Sequence, residues 1–158
     1  MRRYQWTRLN KQQVGAYAEY FVKMELTMYG FQVYETEVDD RGIDFVTRFE
    51  DGPFLEIQVK SLRSLGYIFA HKEKFALRDN LFMAVALFSE GTPPDLYLIP
   101  ACAWQLQNQL FVSRDYEGLK SKPEWGLNIS QKNMDTMEKY RFDKIVSGLM
   151  LRNTHPTG

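Results

Sequence analysis

Apolar positions early in the chain follow helical spacing. Val14, Ala18, Phe21, Val22 and Leu26 share one stripe. Asn10-Lys11-Gln12-Gln13 in front of that stripe has the form of a capping box, with Gln13 placed to reach back. The helix should run to Tyr29 and stop at Gly30, which supplies a left-handed terminus. Gly15, Ala16 and Ala18 are small, so this helix can lie close against a sheet. The period then changes. Residues 31–37 alternate and read as a strand, residues 43–49 as a second and residues 54–60 as a third, with a turn at Asp51-Gly52-Pro53 joining the last two. The apolar run 81–88 reads as a buried strand, and residues 95–100 as another after the turn Gly91-Thr92-Pro93-Pro94. A short helix around 101–106, a strand at 127–130 opened by the loop 123–126, and a helical region from Met134 complete the pattern. Residues 61–80 show no clear period. The order describes one α/β (α+β) domain spanning 1–158, a mixed β-sheet flanked by helices, with a core at 10–100 and C-terminal strand and helix additions at 101–151. No repeat, low-complexity tract or linker divides the chain.

Composition narrows the classes. With 158 residues, 44% of them hydrophobic and 15% aromatic, the chain can bury a core and is unlike a disordered segment. The longest apolar run is too short to span a bilayer, so no membrane partner is expected. Met1-Arg2-Arg3 leads into polar sequence rather than a secretory signal. Cys102 is the only cysteine, which excludes an intrachain disulfide and suits a reducing, cytoplasmic compartment. Besides it there are only His71 and His155, so a structural zinc site is not expected. Any metal would take oxygen ligands, as Mg²⁺ or Mn²⁺ does.

The charges balance, 20 Lys+Arg against 20 Asp+Glu, which argues against nonspecific coating of nucleic acid. Locally they do not. Glu35, Glu37, Asp39, Asp40, Asp44, Glu50 and Asp51 crowd one stretch, while Lys60, Arg63, Lys72, Lys74 and Arg78 crowd the next. Such a pair of clusters can serve as a cation site beside a phosphate-binding surface, with Arg63, Lys72 and Lys74 as substrate-binding cations. It can equally be two solvated loops of opposite sign.

The stretch Phe54-Leu-Glu-Ile-Gln-Val-Lys60 puts Glu56, Gln58 and Lys60 on one face of a strand and Leu55, Ile57 and Val59 on the other. An ordinary half-exposed strand explains that alternation equally well. Asp44 is harder to explain in that way. It lies among Ile43, Phe45 and Val46, in a strand for which Asp has poor propensity, and a carboxylate there needs a cation or strong donors. A metal with Lys60 nearby meets that need, as does a turn-initiating role or a pair with Arg41.

Gly42-Ile43-Asp44, a short hairpin and Gln58-Val59-Lys60 together resemble the PD-(D/E)xK nuclease superfamily, and most closely its Mrr-like branch with a Gln-x-Lys motif. Gly15-Ala-Tyr-Ala-Glu19 looks like that branch's first-helix motif. The stretch 56–61 is similar to a widespread bacterial domain family of unassigned function in the same superfamily. The resemblance implies a restriction-endonuclease-like fold and Mg²⁺- or Mn²⁺-dependent hydrolysis of phosphodiesters, with DNA as the expected nucleic acid partner. It implies Asp44, Gln58 and Lys60 as catalytic residues, and Asp44, Glu19, Gln58 or Glu56 as metal ligands. Two departures stand out: Ile43 replaces the usual proline, and Gln58 replaces the usual second acid. The resemblance also implies an amphipathic helix between Lys60 and Leu81, where the sequence is ambiguous. Glu19 borders the apolar stripe and can instead pair with Lys23 one turn on. Trp104, Trp125 and the many Tyr and Phe residues are assigned to the core rather than to base stacking.

Three classes of function remain: an endonuclease, a noncatalytic nuclease-fold domain binding nucleic acid or protein, and a nuclease acting beside a partner subunit. A homodimer is compatible with the first. Register separates a possible site from an impossible one. A two-residue turn would oppose Asp44 to Val59 and send it to the face away from Lys60. An odd loop, Asp51-Gly52-Pro53, would oppose Asp44 to Lys60, and a β-bulge near Asp44 would act similarly. The expectation is an odd loop or a bulge, with Asp44 and Lys60 on one face near Glu19.

Overall fold

The computed structural model describes residues 2–38 and 41–154. Helix α1 (Lys11–Met28) carries the expected capping box, Asn10 accepting from the Gln13 N–H and the Gln13 side chain accepting from the Asn10 N–H. Gly30, at φ 92°, turns the chain out of the helix. It enters β1 (Phe31–Glu35), β2 (Phe45–Phe49) and β3 (Leu55–Leu62), an antiparallel meander. Strand β5 (Leu81–Leu87) joins β3 in parallel, and β6 (Asp95–Pro100) closes the edge, so the sheet order is β1-β2-β3-β5-β6.

The crossover from β3 to β5 does not contain the expected helix. It holds β4 (Gly66–His71), which pairs with β8 (Glu124–Ile129), which in turn pairs with β7 (Phe111–Arg114) in a second, three-stranded antiparallel sheet. The reason is visible in the period of β4. Ile68 and Ala70 are buried, whereas Phe69 between them is 42% exposed. That is a two-residue alternation, which a helix cannot satisfy. The 127–130 strand starts three residues earlier than expected, at Glu124, and β7 was not foreseen. After a short α2 (Met134–Met137), helix α3 (Phe142–Thr154) ends the fold.

The central sheet separates two cores. Phe82, Ala84, Ala86, Leu96 and Leu98 face one side with Ile57, under Val14, Ala18, Val22 and Leu26 of α1 and Val146 of α3. Leu81, Met83, Val85, Tyr97 and Ile99 face the other, under Ile68, Leu127, Phe111 and Trp104. All seven residues of β5 are buried, which is why its sequence is continuously apolar rather than alternating. Burying apolar area on both faces, at roughly 25 cal/mol per Å², makes β5 the anchor of the domain.

Candidate nuclease site

The site is built where β2 begins beside β3. The β2–β3 ladder pairs Thr47 with Leu55, Val46 with Glu56 and Phe45 with Ile57. An odd span, residues 48–54, thus connects the strands, the parity expected for a shared face. The register is shifted by two residues from the one anticipated, so that Asp44 falls near Gln58 rather than opposite Lys60. The turn explains the shift. The Gly52 N–H donates to Phe49 O at 3.0 Å, and Glu50 sits at φ 50°. The chain therefore reverses around Glu50 and Asp51, ahead of Pro53. The Asn153 amide of α3 also donates to Phe49 O, at 2.8 Å, and pins this turn to the last helix.

Asp44 precedes the regular strand. Its N–H donates to Ile57 O at 2.9 Å, although Ile57 already opposes Phe45. Two residues standing against one is the arrangement of a bulge. One carboxylate oxygen of Asp44 accepts from the Val59 N–H at 2.7 Å. Asp44 is thereby bonded to both neighbours of Gln58. Ladder partners in a parallel pair share a face, and Glu56, Gln58 and Lys60 pair with Leu81, Met83 and Val85. These three polar side chains thus lie on the side of the second core, and Leu55, Ile57 and Val59 lie toward α1.

Each polar side chain on that face is in a different state. Lys60 is half-buried. Burial lowers its pKa below the ordinary lysine value, and the negative charge of Asp44 partly offsets this. Gln58 has a buried Oε1 with no hydrogen-bond partner, and its side chain lies close to Gly42 and to Lys74. Any side chain at residue 42 would press on both, and the φ of 76° also favours glycine there. Glu56 forms an ion pair with Arg78. With Arg41, Ile43, Glu73, Lys74 and Arg78 it lines a cavity of about 460 Å³.

Glu19 lies on α1, on the side to which Asp44 opens. The two line a cavity of about 220 Å³ with Tyr20, Lys23, Glu35 and Thr36. Glu19 pairs with Lys23 at 3.0 Å, and Lys23 also pairs with Glu35 at 3.1 Å. Burial works against the Lys23 charge, but these two carboxylates outweigh it and hold its pKa above the ordinary lysine value. The odd span and the bulge together cancel in parity, so the single face expected for Asp44 and Lys60 is not formed. Asp44 opens to the α1 side, where it shares a cavity with Glu19, is bonded to the backbone on either side of Gln58 and acts on Lys60 through its charge. Glu56 opens onto a different cavity.

The remaining cations divide. Arg63 donates to Leu9 O at 2.7 Å and to Trp6 O at 3.4 Å, which ties down the N-terminal segment. Lys72 is held by Ser113 and Asp115, each at 2.7 Å, and lies 4.0 Å from the Trp125 ring centre. Lys74 faces the cavity beside Gln58. The sequence reading missed Arg41 and Arg78 as cavity-lining cations. Their place in a basic run and next to Gly42 was the available signal. Among the described residues, no group of three or more His, Cys, Asp or Glu side chains is assembled for a metal, and no helix is long and apolar enough to cross a membrane.

No family model and no curated protein matches the sequence. Solved structures do match the fold. A bacterial homing endonuclease, I-Ssp6803I, superposes with a TM-score of 0.51 at 16% identity, over 92% of this chain and 97% of that one. Hjc, a Holliday junction resolvase of the archaeal hyperthermophile Archaeoglobus fulgidus, gives a TM-score of 0.52 at 14% identity, over 84% of this chain and 95% of that one. The chain therefore has the restriction-endonuclease-like fold, a mixed sheet flanked by helices.

Proposed function

We propose that the protein is a metal-dependent nuclease of the PD-(D/E)xK type that hydrolyses phosphodiester bonds in nucleic acid, with DNA as its substrate. The observation that carries this reading is the placement of Asp44, a carboxylate bulged out of β2, bonded on either side of Gln58 and acting on a half-buried Lys60. The donor set suits a hard divalent cation. Asp44 contributes charge and Gln58 an amide oxygen that is buried and lacks a hydrogen-bond partner, the kind of atom a ligand satisfies. Asp44 and Gln58 would hold Mg²⁺ or Mn²⁺, with Glu19 joining them once it leaves Lys23. When bound there, such an ion would supply polarisation of the scissile phosphate and activation of the attacking water. Lys60 neutralises charge that develops on the phosphate, and its low-dielectric position strengthens that effect. Lys74, Arg41 and Arg78 offer phosphate contacts on the same side as Gln58. The homing endonuclease and the junction resolvase support the reading through the shared fold.

A second reading is a nuclease-fold domain that binds nucleic acid without cutting it. Glu19 and Glu56 favour it, because both are neutralised by cations of the chain itself. A cleavage assay decides between the two. Linear duplex, branched and single-stranded substrates are incubated with Mg²⁺ or Mn²⁺, and wild type is compared with Lys60→Ala. Cleavage by wild type and none by the variant is expected. Binding without cleavage across the whole panel would replace the first reading with the second.

A further inference from the structure

The outer face of the second sheet is unlike the rest of the surface. Its inner face, Ile68, Ala70, Leu127, Ile129 and Phe111, packs on the core. Its outer face carries Tyr67, Phe69 and His71 in a row along β4. Tyr67 and Phe69 stack with ring centres 6.2 Å apart at 25°, and Phe69 meets His71 edge-on at 5.5 Å. Phe69 is 42% exposed although it is a large aromatic in mid-strand. The exposed Arg114 of β7 places its guanidinium 4.4 Å from the Tyr67 ring centre, and Asn128 beside it is also exposed.

The row is also held rigid. Tyr67 donates a hydrogen bond to the carboxylate of Glu124, which is only 5% exposed. The Tyr67 ring lies across Gly126, where any side chain would occupy the place of its hydroxyl. The glycine and the buried acid together fix the orientation of Tyr67, so little side-chain freedom is lost when something stacks beside it. The row also leads toward the candidate site. Strand β4 ends at His71, and the single turn Lys72–Lys74 that follows delivers Lys74 to Gly42 and Gln58.

We propose that this face binds single-stranded nucleic acid, stacking unpaired bases on Phe69 and along the Tyr67–Arg114 pair, with the sugar–phosphate backbone running toward Lys74. Every base has a π-face, so a platform of aromatic rings and a guanidinium accepts unpaired bases regardless of sequence. A duplex offers no such faces, because its bases already stack on one another. Phe69 stands opposite Gly126, with Val112 beyond it, so only one aliphatic side chain joins the row in that direction, while the exposed Asn128 and the Arg114 guanidinium border Tyr67. An apolar protein partner would be one of the outcomes of the test. The inference deepens the nuclease reading by naming the substrate class as nucleic acid with an unpaired segment.

Its test is a binding measurement in EDTA, so that failure here is separate from failure to cleave. Fluorescence anisotropy is recorded with a short labelled oligothymidylate and with a blunt duplex of equal length. The single strand should bind at least about tenfold more tightly than the duplex, and Phe69→Ala should weaken it about tenfold. Phe69→Trp should retain binding. Arg114→Ala should also weaken it, with the thermal melt of each variant confirming an intact fold. Equal affinity of Phe69→Ala and wild type, or tighter binding of the duplex, would overturn the proposal.

Discussion

Two regions treat buried polar groups in opposite ways. In the second sheet and its surroundings most are matched. The Glu124 carboxylate receives the Tyr67 hydroxyl, the Trp104 indole N–H donates to Gly126 O at 2.7 Å, and the Asn133 amide donates to Asn128 O at 2.7 Å and Gln109 O at 3.2 Å. At the start of β2 and along β3 the balance is poorer. Gln58 Oε1 is buried without a partner, and Lys60 keeps a charge at a half-buried position that lowers its pKa. Among the described residues, the buried atom of the second sheet without a partner is Nδ1 of His71, at the end of the aromatic row. Unmatched buried polar atoms cost stability, so folding alone gives no reason to keep them. In the proposed site a bound cation would supply the partner that the Gln58 oxygen lacks, whereas the second region is matched mostly within itself.

The largest expected effect is on activity in the first region. Asp44→Asn retains an oxygen that can accept from the Val59 N–H, so the fold should survive while the charge is lost. Cleavage should fall by roughly 10³-fold or more, on the scale of removing a key electrostatic group, and the calorimetric signal for Mn²⁺ should disappear. Asp44→Ala is the poorer probe because it also removes the Val59 acceptor. Full cleavage by Asp44→Asn would take Asp44 out of the site.

Next comes a stability effect in the second region. Tyr67→Phe leaves the Glu124 carboxylate buried without its hydroxyl donor. The expected loss is about 2 kcal/mol, the cost of an unsatisfied buried acceptor, read as a lower denaturant midpoint. An unchanged midpoint would show that water or Arg114 replaces the hydroxyl.

Lys60→Met should do the reverse. It exchanges a buried charge for an apolar chain of similar length, and a gain of about 1 kcal/mol is expected together with complete loss of cleavage. The pH dependence follows from the direction of the shift. Folding lowers the Lys60 pKa, so between the folded value and the ordinary value of 10.5 the unfolded chain binds more protons. Across that window wild-type stability rises with pH relative to Lys60→Met, and the advantage of the variant should shrink. A variant less stable than wild type at neutral pH would mean that the Lys60 charge supports the fold.

Sequence reading reached the first region better than the second, and for physical reasons. The Asn10–Gln13 box, the stripe of α1 and the apolar run of β5 are local patterns with strong geometric meaning, and each appears in the structure. The parity of the β2–β3 connection was also legible, because Pro53 disfavours a ladder position. The shift of two residues was not, since it depends on the left-handed Glu50 and on Asn153, far away in sequence. In the second region, the helix that the resemblance implies between Lys60 and Leu81 is replaced by β4, whose outward aromatics Tyr67 (half-buried) and Phe69 (exposed) blur its alternation. Its partners β7 and β8 lie far along the chain, so no local signal announces the pairing. The aromatic row was assigned to the core because composition cannot distinguish a ring beneath a sheet from one on top of it.

The smallest effect sharpens the comparison most directly, because it asks what the unmatched Gln58 oxygen is for. Gln58→Glu keeps the length of the side chain and replaces the amide with a carboxylate. Without metal, a second negative charge near Asp44 in a buried position should lower stability, since like charges and desolvation both oppose it. With metal the sign should reverse. More ligand charge tightens binding of a hard cation, by roughly threefold here, and a ligand that binds only the folded state raises the melting temperature. Melting curves with and without Mn²⁺ measure both parts. The variant should start lower than wild type and rise further as Mn²⁺ is added. A variant that starts lower and does not respond to Mn²⁺ would show that residue 58 faces no metal, leaving the buried amide oxygen without a functional explanation.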